Sequence, residues 1–122
     1  MTIVIPLAPI TKKNSQQILI NRKTGRPFIS PSKQYKQYKK DCEPYLEGLV
    51  EEPIDQEMAV KCVYYTKTRR KVDLTNLMEA THDILQDAGV ISDDALIKSV
   101  DGSRVYHDKD NPRTEIEITI LS

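Results

Sequence analysis

The sequence predicts an α+β fold, a single domain in which two main helices pack on one face of a mixed sheet in the order β-ββ-α-β-α-β-β. Three observations lead there. The chain has 122 residues, enough for one core and too few for two comfortable ones. Two segments repeat apolar residues at three- and four-residue steps, the period of a helix face. Between and around them lie short β-branched and aromatic runs bounded by turn residues. Helices and strands mixed in this way pack as a helical layer on a sheet.

Taken in order, "TIVIPL" is a β-rich first strand that ends at Pro6. No basic leader precedes it, so it is read as a strand and not as a signal peptide. "KKNSQQILINRKTGRPFIS" holds a short hairpin, with strands around residues 18–20 and near Phe28 and a polar turn at Thr24 and Gly25. Ser30 and Pro31 are expected to cap and open the first helix. Its stripe is Tyr35, Tyr38, Cys42, Tyr45, Leu46 and Leu49, and Pro44 within it kinks or ends the helix. After the turn "EEPIDQ", the strand "MAVKCVYYTK" sets Val60, Cys62 and Tyr64 against Lys61, Val63 and Tyr65. A second helix follows Asp73, striped by Leu74, Leu77, Met78, Thr81, Ile84, Leu85 and Ala88 and capped by Gly89. "LIKSVDGSRVYHD" and "RTEIEITIL" then close the chain as a long hairpin turning at "DKDNP".

The formal net charge of zero conceals a segregation. Residues 1–40 hold nine Lys or Arg and no acid, and residues 61–71 add five cations, again without an acid. Such a distribution makes a two-lobed field whose basic lobe suits a polyanion. The plainer alternative is that opposite runs neutralise each other across the fold. No stretch approaches the roughly 20 apolar residues of a membrane span. Cys42 and Cys62 have neither CxxC nor Cys/His spacing, so they are read as reduced, buried thiols of a cytoplasmic protein. No nucleophile elbow and no phosphate-cradling glycine loop is present. His82 and His107 lack partners at ligand spacing, and His82 is expected to be a solvated helix-face residue.

Asp73 stands where a helix N-cap belongs, and a cap needs only one carboxylate oxygen, so metal binding stays open beside capping. Asp93 and Asp94 form either an acidic loop or part of the same metal site. A helix of about 16 residues spans roughly 24 Å. The two ends therefore meet only if the chain after Gly89 runs back along the helix.

"RRKVDLTNLMEATHDILQDAGVISDDALI" resembles the core motif of the RusA-type Holliday-junction resolvases: a basic run, Asp-Leu-x-Asn-Leu opening a helix, Ala-Gly, then an Asp-Asp pair. "IPLAPITKKNS", "GRPFISPSKQYKQYKK" and "DGSRVYHDKDNPRTEIEITI" resemble the flanking segments, the last that of Gram-positive and prophage members. The resemblance implies a homodimeric, Mg²⁺-dependent endodeoxyribonuclease, with Mn²⁺ as a substitute, that nicks four-way DNA junctions symmetrically. It implies Asp73, Asp94 and Asp93 as metal ligands, with Asp73 and Asp94 catalytic. Thr75 stands where a second acid of the motif is expected, and Glu79 where a lysine is expected. Glu79, one turn on from Thr75, is then the candidate for the missing carboxylate. The neighbouring Arg69, Arg70 and Lys71, with Lys12, Lys13 and Asn14, are the expected DNA contacts. The alternatives are a junction-binding protein that does not cleave and a small domain whose basic face binds an acidic protein.

Overall fold

The structure, a computed structural model, describes residues 1–11, 16–20, 22–31 and 33–121, with backbone only for 16–20 and 28–31. Strands β1 (Thr2–Ile5), β4 (Met58–Thr66), β5 (Ile97–Ser99), β6 (Arg104–His107) and β7 (Arg113–Ile120) form one mixed sheet, and β2 (Gln16–Ile20) and β3 (Pro27–Pro31) form a separate hairpin. Helices α1 (Lys33–Leu46) and α2 (Leu74–Asp87) cover one face, the expected α+β architecture.

The period of two in β4 and β7 explains the single covered face. In β4, Met58, Val60, Cys62, Tyr64 and Thr66 are buried, and Lys61 between them is exposed. In β7, Thr114, Ile116 and Ile118 are buried while Glu117 is exposed. These rows meet Tyr35, Tyr38, Cys42 and Leu46 of α1 and Leu77, Ala80, Ile84 and Leu85 of α2. Inside the core, the Tyr64 hydroxyl pairs with Thr81 Oγ1 at 2.7 Å, and Thr81 donates to the Leu77 carbonyl at 3.0 Å. These two hydroxyls, one brought inside by the strand and one by the helix, thus satisfy each other. Both cysteines are buried thiols, and burial pushes each up to about 11. No described helix is long and apolar enough to cross a membrane.

The closing segment departs from expectation. β6 and β7 do not form a hairpin: β6 runs parallel to β4 from Val63↔Arg104 to Thr66↔His107, whereas β7 pairs antiparallel with β4 on its other side and with β1. The "DKDNP" turn carries the chain past the end of β4, held by the Asp108 amide on the Thr66 carbonyl and by Arg113 on Asp108 and Asn111. The burial patterns supply the reason. β7 has a full buried row, Thr114, Ile116 and Ile118, and takes a central position, while β6 is largely exposed and takes an edge. The segment expected as one strand before it is two, β5 and β6, interrupted at Gly102, whose φ is 87°.

Two helix details also differ. Ser30 and Pro31 belong to β3, and α1 begins at Lys33, so neither caps nor opens the helix. The stripe of α1 is narrower than expected, since Tyr45 and Leu49 are 40% and 39% exposed. Pro44 sits in the last turn, and the helix ends two residues beyond it at Leu46.

Candidate functional site

β4 ends at Thr66, whose hydroxyl donates to the carbonyls of Thr68 and Tyr106 and so turns the chain out of the sheet. Residues 67–71, "KTRRK", are exposed, and Val72 returns the chain to the edge of the core. Asp73 follows with extended backbone (φ −78°, ψ 115°) and caps α2. Its Oδ1 accepts the Thr75 amide at 3.0 Å and the Thr75 hydroxyl at 2.6 Å. Thr75, at the position where a second acid was expected, therefore works on Asp73 itself and fixes the orientation of that carboxylate. Glu79, one turn further along the helix, is exposed.

Beside this cap lies an open cleft of about 610 Å³, walled by Ala8–Thr11 on one side, by Thr66–Thr68 with Arg70, Lys71 and Val72 on another, and by Gln34 of α1. Arg70 and Lys71 line it; Arg69 is exposed on the same loop but not in its wall. Lys12, Lys13 and Asn14 lie outside the described residues.

The other acids are set by the end of α2. The Gly89 amide bonds Gln86 O at 3.1 Å and the Val90 amide bonds Leu85 O at 3.0 Å. With Gly89 at φ 76°, these are the paired bonds of a Schellman cap. Ile91 bridges Ile54, and Ser92 Oγ donates to Asp55 at 2.6 Å, which pins the returning chain. Asp93 then caps a 3-10 turn (Asp94–Leu96) by accepting the Ala95 amide at 2.9 Å. The Asp94 amide donates to Gln86 Oε1 at 2.8 Å.

The chain does run back along α2, but not as far as Asp73. Asp94 sits beside the helix at the level of His82 and Gln86, which are eight and twelve residues past Leu74, or roughly 12 and 18 Å along the axis. The strand pairing agrees: Asp73 follows the C-terminal end of β4, whereas Asp94 precedes β5, which pairs with Met58 and Ala59 at the start of β4. Mg²⁺ ligands lie at about 2.1 Å from the ion, so two carboxylates sharing it stand within a few ångströms of each other. Asp73 and Asp94 of one chain do not meet that condition, and among the described residues no three His, Cys, Asp or Glu come together as a metal group.

His82 is half-buried, not solvated as expected, and its Nε2 is enclosed without a hydrogen-bond partner among the described residues. Burial holds the imidazole below its usual value, against the pull of the Asp94 charge. The helix-face pattern missed it because Asp94 arrives from a segment whose path periodicity does not reveal. His107 is exposed at the end of β6.

In a comparison with known families, the model described as endodeoxyribonuclease RusA matches residues 6–119. No curated protein matches the chain.

Proposed function

The chain belongs to the RusA endodeoxyribonuclease family, and on that premise we propose that it is a divalent-metal-dependent enzyme that resolves four-way DNA junctions by paired nicks. The observation that carries the reading is the juxtaposition at the start of α2: a capped and oriented carboxylate, Asp73, directly follows an exposed run of cations that walls an open cleft. Hydrolysis of a phosphodiester needs a placed phosphate, relief of charge on its oxygens and an activated water. Arg70 and Lys71 provide the first by neutralising phosphates at the cleft, with Arg69 behind them. The Thr75 hydroxyl and amide hold one oxygen of Asp73, so the carboxylate meets the substrate without first being ordered. Bound Mg²⁺ or Mn²⁺ supplies charge relief and a more acidic water.

One chain does not hold Asp73 and Asp94 close enough to share that ion. In a homodimer, Asp73 of one copy and Asp94 of the other are the acids available to complete the site. A twofold assembly also matches the approximate twofold symmetry of a junction and gives two nicks. Asp93, engaged as a cap by one oxygen, stands beside Asp94 as the accessory ligand. Glu79 is exposed on the helix face one turn beyond Thr75 and is the further carboxylate of the site.

A second reading is favoured by Thr75 alone. Its hydroxyl occupies Asp73 Oδ1 where the motif has an acid, which describes a protein that binds junctions without cutting them. Incubation with a labelled four-way junction and with linear duplex, with and without Mg²⁺, decides between the two. The expected outcome is paired nicks on the junction alone, lost in Asp94→Asn. Tight junction binding with no nicks in Mg²⁺ or Mn²⁺ establishes the second reading.

A further inference from the structure

The site described above uses the loop of residues 67–71 and leaves a second group of cations unexplained. Helix α1 exposes Lys33, Lys36 and Lys40, which with Gln37, Glu43 and the half-buried Lys39 border an open groove of about 380 Å³. Lys39 is different: it turns inward to Asp83 and Asp87 of α2 and serves the packing of the two helices. None of the three exposed lysines makes an ion pair among the described residues.

Their placement runs against helix electrostatics. The N-terminal end of a helix favours acids and the C-terminal end favours cations. In α1 the first turn has no acid and the last turn has no cation; lysines lead, and Asp41 and Glu43 follow. An order that opposes the macrodipole destabilises the helix, which suggests that these cations answer to a ligand and not to folding. Their spacing suits a regular polyanion. Positions 33, 36 and 40 follow three- and four-residue steps and so lie on one face, over a rise of roughly 10 Å, a span over which long lysine side chains reach neighbouring phosphates of one DNA strand. The strip lies on the same helix whose first turn supplies Gln34 to the wall of the cleft.

We propose that Lys33, Lys36 and Lys40 form a second phosphate-contact surface that holds a duplex arm of the junction as it leaves the cleft. The inference rests on the junction reading and assigns a distinct part of the molecule to the arm. Its test is the salt dependence of binding, for the unaltered protein and for the triple variant K33Q/K36Q/K40Q, on junctions with long arms and with arms of only a few base pairs. Glutamine keeps helix propensity at exposed sites, and an unchanged circular-dichroism melt confirms that the variant is folded.

On long arms, the slope of log K against log salt is expected to fall by roughly 2.7 for three lost contacts. On short arms the two proteins are expected to bind alike. Equal slopes on long arms, with junction binding intact, overturn this surface and leave the junction reading standing. An equal loss on both substrates also overturns it, since the lysines would then act at the crossover or as a diffuse field. Failure of the unaltered protein to bind either junction removes both readings, and capture of acidic polypeptide in its place would reassign the strip.

Discussion

Asp73 caps α2 and, in the proposed function, also serves the metal, two tasks that substitution can separate. Asparagine caps a helix about as well as aspartate, whereas alanine does not and costs about 1 kcal/mol. Asp73→Asn is therefore expected to unfold at nearly the unaltered denaturant concentration and Asp73→Ala at a lower one, while both lose metal-dependent nicking. Retained nicking in the asparagine variant would confine Asp73 to the cap. Sequence position identified the cap but not its second hydrogen bond, because a threonine two residues on donates to a carboxylate only in particular rotamers. His82 yields a pH prediction. Its pKa is lowered on folding by burial, so the unfolded chain binds the proton first as pH falls. Stability is then complete above the unfolded value of about 6.5 and declines as pH drops from there through the folded pKa. Urea midpoints measured between pH 7.5 and 5 should show that decline, and His82→Gln should lessen it. At Cys42 and Cys62, both buried with thiols raised to about 11, an aromatic disulfide reagent is expected to find no rapidly reacting thiol in the native protein and two after denaturation.

The two helices were legible as elements because period and punctuation agree in each. Gly89 is the clearest punctuation mark. Its φ of 76° is the conformation that a Schellman cap requires, and a Cβ there would meet nothing within 4 Å. The penalty of Gly89→Ala is therefore conformational, about 1–2 kcal/mol, read as a lower denaturation midpoint with unchanged slope. What periodicity could not supply was the pairing of the last strands. Two extended runs joined by five turn residues look like a hairpin, yet the alternation of Thr114, Ile116 and Ile118 carries the information that overrules it. A strand with a complete buried row belongs inside the sheet between β1 and β4, and the shorter β6 is left to the far side of β4. The same limit applies to Asp94. The sequence allowed the chain to return along α2, but the Gln86 and Ile54 contacts decide how far it returns.

At the scale of the whole molecule, the separation of Asp73 from Asp94 becomes a statement about assembly. If both acids serve one ion in a dimer, each site draws one acid from each copy, and two inactive variants complement each other. In a mixed dimer of Asp73→Asn with Asp94→Asn, one site receives Asp73 from the second variant and Asp94 from the first and is intact; the other site receives both asparagines. Mixing the two after partial denaturation and refolding should therefore restore Mg²⁺-dependent nicking on a junction that neither variant cuts alone. Because only one site per mixed dimer is complete, the product should be a single nick and not a resolved junction. With random re-pairing of equal amounts, about half of the dimers are mixed, which bounds the recovered rate. If each chain carried its own complete site, every mixed dimer would hold two defective sites and the mixture would stay inactive. The two arrangements thus differ in a yes-or-no product on a gel, and the single-nick pattern separates complementation from contamination by unaltered enzyme, which would resolve the junction fully.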